Sequence, residues 1–256
     1  MLLAARGGGN DWVVSEPYEL ESGPVAPPLP GSVVVRPSLD DAIAAAAADI
    51  MMQAHACVRS FGDFHLAMPA GEAAHHLILR LMTDPNYRGL PWSRTHVWAT
   101  RERRIGPEDA GHWLAEIGEM LLHGSDLPSE QIHGIDGHLH DADARYERAL
   151  CAALGTREPG HDRLDCVVLP ATEAAVRGHE DPIGRLVGPT EDGEGVGLTV
   201  RAIRGSRLVM VVGPGVGAKP VLDRFGADAD AVGVVPDGGL LRWYLDRAAL
   251  GHENLE

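Results

Sequence analysis

Short apolar runs closed by proline or glycine alternate along the chain with longer stretches whose apolar residues recur every three to four positions. The first pattern predicts strands buried on both faces of a sheet, and the second predicts amphipathic helices lying against it. Cys166-Val167-Val168-Leu169, ended by Pro170, and Leu208-Val209-Met210-Val211-Val212, ended by Gly213, are the clearest strands. Phe64 to Met68 and Thr95 to Ala99 read as two more, Val33-Val34-Val35 as a short edge strand, and Asp230 to Pro236 as the last. Helices are expected from Leu39 to Arg59, with Ser38 as N-cap and Asp40 and Asp41 in the first turn. Others are expected from Glu72 to Met82, from Pro107 to about Gly124, from Asp141 to Leu154, and from Gly239 to Leu250. Thr100 to Arg104 reads as a charged turn, 132–140 as a loop rich in His and Gly, and Pro189 to Gly197 as an acidic loop.

Strands that alternate with helices across short turns specify a parallel sheet covered on both faces. The expected fold class is a three-layer α/β/α domain with a mainly parallel twisted sheet. Residues 1–31 contain Gly7-Gly8-Gly9 and four closely spaced prolines, and read as an extended or disordered arm. Residues 32–256 then form a single domain. In such sheets ligands bind beyond the carboxyl ends of the strands, so chemistry is expected just after Leu169.

Charge narrows the partners. The chain has 37 acidic and 22 Lys and Arg residues, a formal net charge of -15. That balance disfavours nucleic acid and anionic membranes, which require a basic face, while a small anion needs only a local cluster. No stretch approaches the roughly 18 apolar residues of a membrane span, and the apolar start at Met1 to Arg6 is too short for a signal peptide. Cys57, Cys151 and Cys166 show no paired spacing, which fits reduced thiols and a cytoplasmic location.

Several motifs invite chemistry. Gly213-Pro214-Gly215-Val216-Gly217-Ala218-Lys219 falls short of a Walker loop, because Ala218 precedes the lysine and Pro220 follows it. His133, His138 and His140, with Asp136 and Asp141 nearby, offer metal-ligand types without a complete set, so no metal and no cofactor is expected. Arg101, Arg103 and Arg104 form the dense basic turn of the chain. They suit either a phosphate or pairing with Glu102 and Glu108.

Taken in order, these pieces resemble the 6-phosphogluconolactonase family, relatives of the glucosamine-6-phosphate deaminases. The resemblance runs from about Ser38 to Leu250. It is carried by Ala67 to Leu81, by Trp92 to Pro107 with Glu102-Arg103, by Leu121 to Ile135 and by the Tyr146-Glu147 helix. It continues through Leu164 to Leu169, Leu198-Thr199, Gly217-Ala218-Lys219 and Trp243 to Asp246. It implies the NagB-like α/β fold and hydrolysis of 6-phosphoglucono-δ-lactone in the pentose phosphate pathway, without metal or cofactor. It also implies that Gly71, Glu102, Arg103 and Lys219 stand at substrate-binding positions. The family's phosphate turn is rewritten as Ala70-Gly71-Glu72-Ala73, without hydroxyl residues, and Glu72 would repel a phosphate. Without gaps, the family's catalytic histidine falls on Val176, which cannot accept a proton; with three residues inserted it falls on His179. The expected ligand is a small anionic sugar phosphate or sugar acid. The chain is either a divergent hydrolase with His179 as base, a non-catalytic relative that binds such a ligand, or a partner-binding protein on the same fold.

Overall fold

The computed structural model describes residues 25–181 and 183–253. In chain order its strands are β1 (Ser32–Arg36), β2 (Phe64–Met68), β3 (Thr95–Ala99), β4 (Arg101–Arg103), β5 (Ile132–His133), β6 (Cys166–Pro170), β7 (Val187–Pro189), β8 (Gly195–Leu198), β9 (Leu208–Val212) and β10 (Leu240–Asp246). The helices are α1 (Leu39–Phe61), α2 (Glu72–Thr83), α3 (Glu119–Gly124), α4 (Ala142–Leu154), α5 (Glu173–Arg177), α6 (Val200–Arg204) and α7 (Lys219–Ala227). Seven strands form a parallel sheet in the order β1-β10-β9-β6-β2-β3-β5, flanked by helices as the sequence predicts. β4, β8 and β7 form a separate antiparallel sheet.

Burial explains the central strands. Every residue of β2 and of β9, and Cys166 to Leu169 of β6, is buried, because helices cover both faces of the sheet. α1 begins where Ser38 accepts the amide of Asp41 and ends at Gly62, whose φ of 94° forms a left-handed cap that an L side chain disfavours. A buried carboxylate, Asp165, pins the amino ends of β2 and β6. It accepts the His65 amide at 2.8 Å and both terminal nitrogens of Arg157 at 3.0 and 2.7 Å, and Arg207 Nε at 3.0 Å.

Four expectations are corrected. Leu240 to Asp246 is a strand, where a helix from Gly239 to Leu250 was expected. Leucine, arginine and alanine favour helix locally, yet Trp243 and Tyr244 point to opposite faces and both are fully buried between β1 and β9. Asp230 to Pro236 is accordingly no strand: a 3-10 turn at Ala229–Ala231 leads into irregular chain that buries Val232 and Val234. The helix expected from Pro107 starts only at Leu114, with a π-helical turn (Leu114–Gly118) running into α3. Its start is fixed by Glu102, whose Oε2 accepts the Trp113 amide at 2.6 Å. Lastly, Thr100 to Arg104 is no turn, since Arg101–Arg103 pair with β8. Gly195 and Gly197 permit this approach, because a Cβ there would lie 2.6 Å and 2.8 Å from the Glu102 and Thr100 carbonyl oxygens.

Most of the expected arm, residues 1–24, lies outside the described residues. The described remainder is docked: Leu29 is buried in the core and the Pro30 carbonyl accepts the Trp243 indole N–H at 2.9 Å. None of the described helices is long and apolar enough to cross a membrane.

Candidate active site

From β2 the chain proceeds outward to β3 and β5, and from β6 it proceeds the other way to β9 and β10. The strand order therefore reverses between β2 and β6, which is where an open parallel sheet forms a crevice. Their ladder stops at Leu66–Cys166 and Ala67–Val167, so the carboxyl ends are free to part. A cavity of about 420 Å³ lies there. Pro69 after β2, Pro170 and Thr172 after β6, and Gly178-His179 after α5 contribute to its wall. The antiparallel sheet supplies Thr100 and Arg101 at β4, and Thr190, Glu191 and Asp192 from the β7–β8 turn.

His179 is at this cavity, whereas Val176 is sealed in the core with no exposed surface. Burial, with the positive charge of Arg101, pushes the His179 imidazole below its ordinary pKa, so the ring is neutral at neutral pH. Its Nε2 has no hydrogen-bond partner and is also closed off from solvent. The ring's hydrogen bond to the Gly188 backbone is made by its other nitrogen, so the Nε2 lone pair a base would use is present but shielded in this conformation.

The other expected positions diverge from one another. Gly71 (φ 103°) sits at the start of α2, and its amide donates to Glu116 Oε2 at 3.1 Å. Glu102 is buried, accepting the Arg103 amide at 2.8 Å and the Trp113 amide, with His112 Nδ1 3.4 Å from Oε2. Its visible work is to hold β4 against the start of the π-helical turn. Arg103 reaches outward to the Gly111 carbonyl and to Asp109, 3.9 Å away, and is absent from the cavity wall. Lys219 opens α7 and gives both carboxylate oxygens of Asp223 a 2.8 Å contact; it too is absent from that wall. The cation that reaches the cavity is Arg101, which sequence reasoning left undecided within a basic cluster. Arg101 and Arg103 share a face of β4, and the distinction between them is set by where β8 and its turn lie.

Asp192 organises the mouth. One of its oxygens accepts from Thr190 Oγ1 at 2.6 Å and the Glu194 amide at 2.9 Å, and the other accepts from Arg101 at 2.8 Å. Those bonds, led by Thr190, hold its carboxyl down at about 2.

Histidines gather elsewhere. His65, His96 and His133 stack with Trp98 across β2, β3 and β5, with Trp98 and His133 ring centres 3.6 Å apart. His138 and His140 do not join them, so the 132–140 loop supplies no ligand set among the described residues. One trio, Asp63, His65 and His96, brings ligand atoms within 4.8 Å. Its protons oppose a metal. His65 Nδ1 accepts the Trp98 indole N–H at 3.1 Å, so Nε2 carries the proton directed to Asp63 and has no lone pair to offer.

The fold built on this parallel sheet is shared with solved structures of a 6-phosphogluconolactonase and of a monomeric glucosamine-6-phosphate deaminase, the latter with a TM-score of 0.68 at 13% identity over 86% of this chain. The structure of 6-phosphogluconolactonase from Thermotoga maritima superimposes with a TM-score of 0.69 at 19% identity, covering 84% of this chain and 99% of that one. The chain belongs to the family described as glucosamine-6-phosphate isomerases/6-phosphogluconolactonase, whose model matches residues 37–237. It is 24% identical to the 6-phosphogluconolactonase of Mycobacterium bovis over 86% of this chain and 98% of that protein. It is 26% identical to the human GDH/6PGL endoplasmic bifunctional protein, over 90% of this chain and 33% of that protein. The chain thus spans about a third of that longer relative's length.

Proposed function

We infer that this chain is a carbohydrate-binding member of the 6-phosphogluconolactonase family that holds a small sugar-derived ligand in the cavity between β6, α5 and β4. On this reading it turns over 6-phosphoglucono-δ-lactone only feebly. The observation that carries it is the state of the two candidate bases: Val176 cannot take a proton, and His179 Nε2 is shut away from water. Free thiols at Cys57, Cys151 and Cys166 support a reducing, cytoplasmic setting for this work.

A second reading has its own support. His179 stays neutral and its Nε2 lone pair is uncommitted, so a rotation of the ring toward the cavity would give a general base for water. One experiment separates the two. Hydrolysis of freshly prepared 6-phosphoglucono-δ-lactone is followed by proton release for the wild type and His179→Ala, against the spontaneous rate. A rate indistinguishable from the spontaneous one supports the binding reading, and turnover that vanishes in His179→Ala establishes the hydrolase.

A further inference from the structure

The groups that would hold a phosphate at this end of the sheet are already matched by the chain's own carboxylates. The Gly71 amide is taken by Glu116, Arg103 faces Asp109, Lys219 is gripped by both oxygens of Asp223, and Arg101 is bound by Asp192. Glu72 adds a further acid in the first turn of α2. Inside the cavity wall the balance is one guanidinium, Arg101, against the two carboxylates Glu191 and Asp192, with His179 neutral. A phosphate dianion entering this space would find its one guanidinium already charge-matched by Asp192 and would meet an excess negative charge. The wall also carries Thr100, Thr172 and Thr190; the Thr172 hydroxyl accepts the Ala175 amide and keeps its proton to donate, while the Thr190 hydroxyl is taken by Asp192 and the Gly195 amide. Carboxylates, a guanidinium edge and hydroxyls are the donors and acceptors that pair with the hydroxyls of a sugar.

We propose that the cavity takes an unphosphorylated, uncharged sugar or its lactone, and that the Arg101–Asp192 pair with Glu191 is the device that excludes phosphorylated ones. This deepens the carbohydrate-binding reading above and rests on it. Arg101 pairs with Asp192 through one nitrogen, Nη2, leaving other guanidinium donors for ligand hydroxyls. Thr190 and the Glu194 amide hold Asp192 from the opposite side, which keeps its carboxylate beside Arg101.

The test compares D-glucitol with D-glucitol 6-phosphate, a stable pair that differs by the phosphate alone. Dissociation constants are measured by calorimetry for the wild type, Glu191→Gln and Asp192→Asn, after thermal melting shows each is folded. The wild type is expected to bind glucitol at least as tightly as its 6-phosphate. Each variant should shift that ratio toward the phosphate, by about tenfold for Asp192→Asn. A wild type that prefers the 6-phosphate tenfold or more overturns the proposal, and so does a ratio that neither variant moves; both leave the carbohydrate-binding reading standing. Binding of neither compound removes that reading and the proposal together. Glu191→Gln, whose side chain is exposed on the turn, keeps the test available if Asp192→Asn fails to fold.

Discussion

The Gly71 amide donates to the Glu116 carboxylate at 3.1 Å, joining the start of α2 to the π-helical turn that follows Trp113. Helix starts attract anions through their free amides and dipole, and here an internal carboxylate fills that place. Glu116→Gln is expected to weaken this contact at a stability cost of about 0.5–1 kcal/mol. It should also make 6-phosphogluconate stabilise the protein more than it stabilises the wild type, read as the ligand-induced rise in melting temperature. An equal rise in both proteins would show that Glu116 does not obstruct the turn.

Asp165 is fully buried and holds two arginines and a strand amide at once. Asp165→Asn leaves Arg157 and Arg207 without their shared counter-charge, so a loss of about 3–5 kcal/mol in urea unfolding is expected. A loss below about 1 kcal/mol would mean that Asp63, 2.5 Å from Arg157, carries the network alone.

Acid should weaken the fold through the histidine column. Burial first, then neighbouring histidines, lowers His96 to about 4 and His133 to about 3 from the ordinary 6.5. The unfolded chain therefore binds protons that the folded chain refuses as pH falls through 6.5. Stability is complete above that value and declines toward about pH 3, by about 2 kcal/mol for each histidine, or about 4 kcal/mol together, at pH 5. Asp63, held at about 2 by His65 and Arg157 in spite of burial, gives way only at lower pH. Urea unfolding at pH 7 and pH 5 measures the difference, which should shrink in His96→Asn. Equal stability at the two pH values would contradict the assignment.

Trp243 tests β10. It is fully buried and donates to the Pro30 carbonyl, so Trp243→Ala is expected to cost about 3–5 kcal/mol. It should also speed proteolysis at 25–31, where the chain loses its anchor. A mild effect on stability with no change in proteolysis would argue that this strand is peripheral.

Thiol chemistry separates the three cysteines. Cys151 is exposed, while Cys57 and Cys166 are buried, with burial and then Asp165 pushing the Cys57 thiol up to about 12. One thiol should react quickly with a disulfide reagent in native buffer and three in denaturant.

The parallel layer was legible because its strands are nearly unbroken apolar runs: β6 and β9 stand where Cys166 to Leu169 and Leu208 to Val212 placed them. β10 was not, since Leu240 to Asp246 carries no β-branched residue and its strand form comes from the ladders on either side. The small sheet was hidden for a different reason. Strands of three and four residues with glycines at 188, 195 and 197 carry no periodicity, only room for close backbone approach. The family was readable from the order of pieces, but the cavity's working cation was not. Arg101 and Arg103 are equivalent in composition and separated only by the path of the turn carrying Asp192.

The sheet closes in an order that bears on how the protein is made. β1 pairs with β10 alone, Ser32 facing Arg242 and Arg36 facing Asp246. As the chain leaves the ribosome, its first strand has no partner until its last strand has emerged, and β9 meanwhile presents an open apolar edge. Such an edge is a template for pairing with other chains. Nascent chains halted before residue 240 should therefore recruit holdase chaperones, and those carrying β10 should release them.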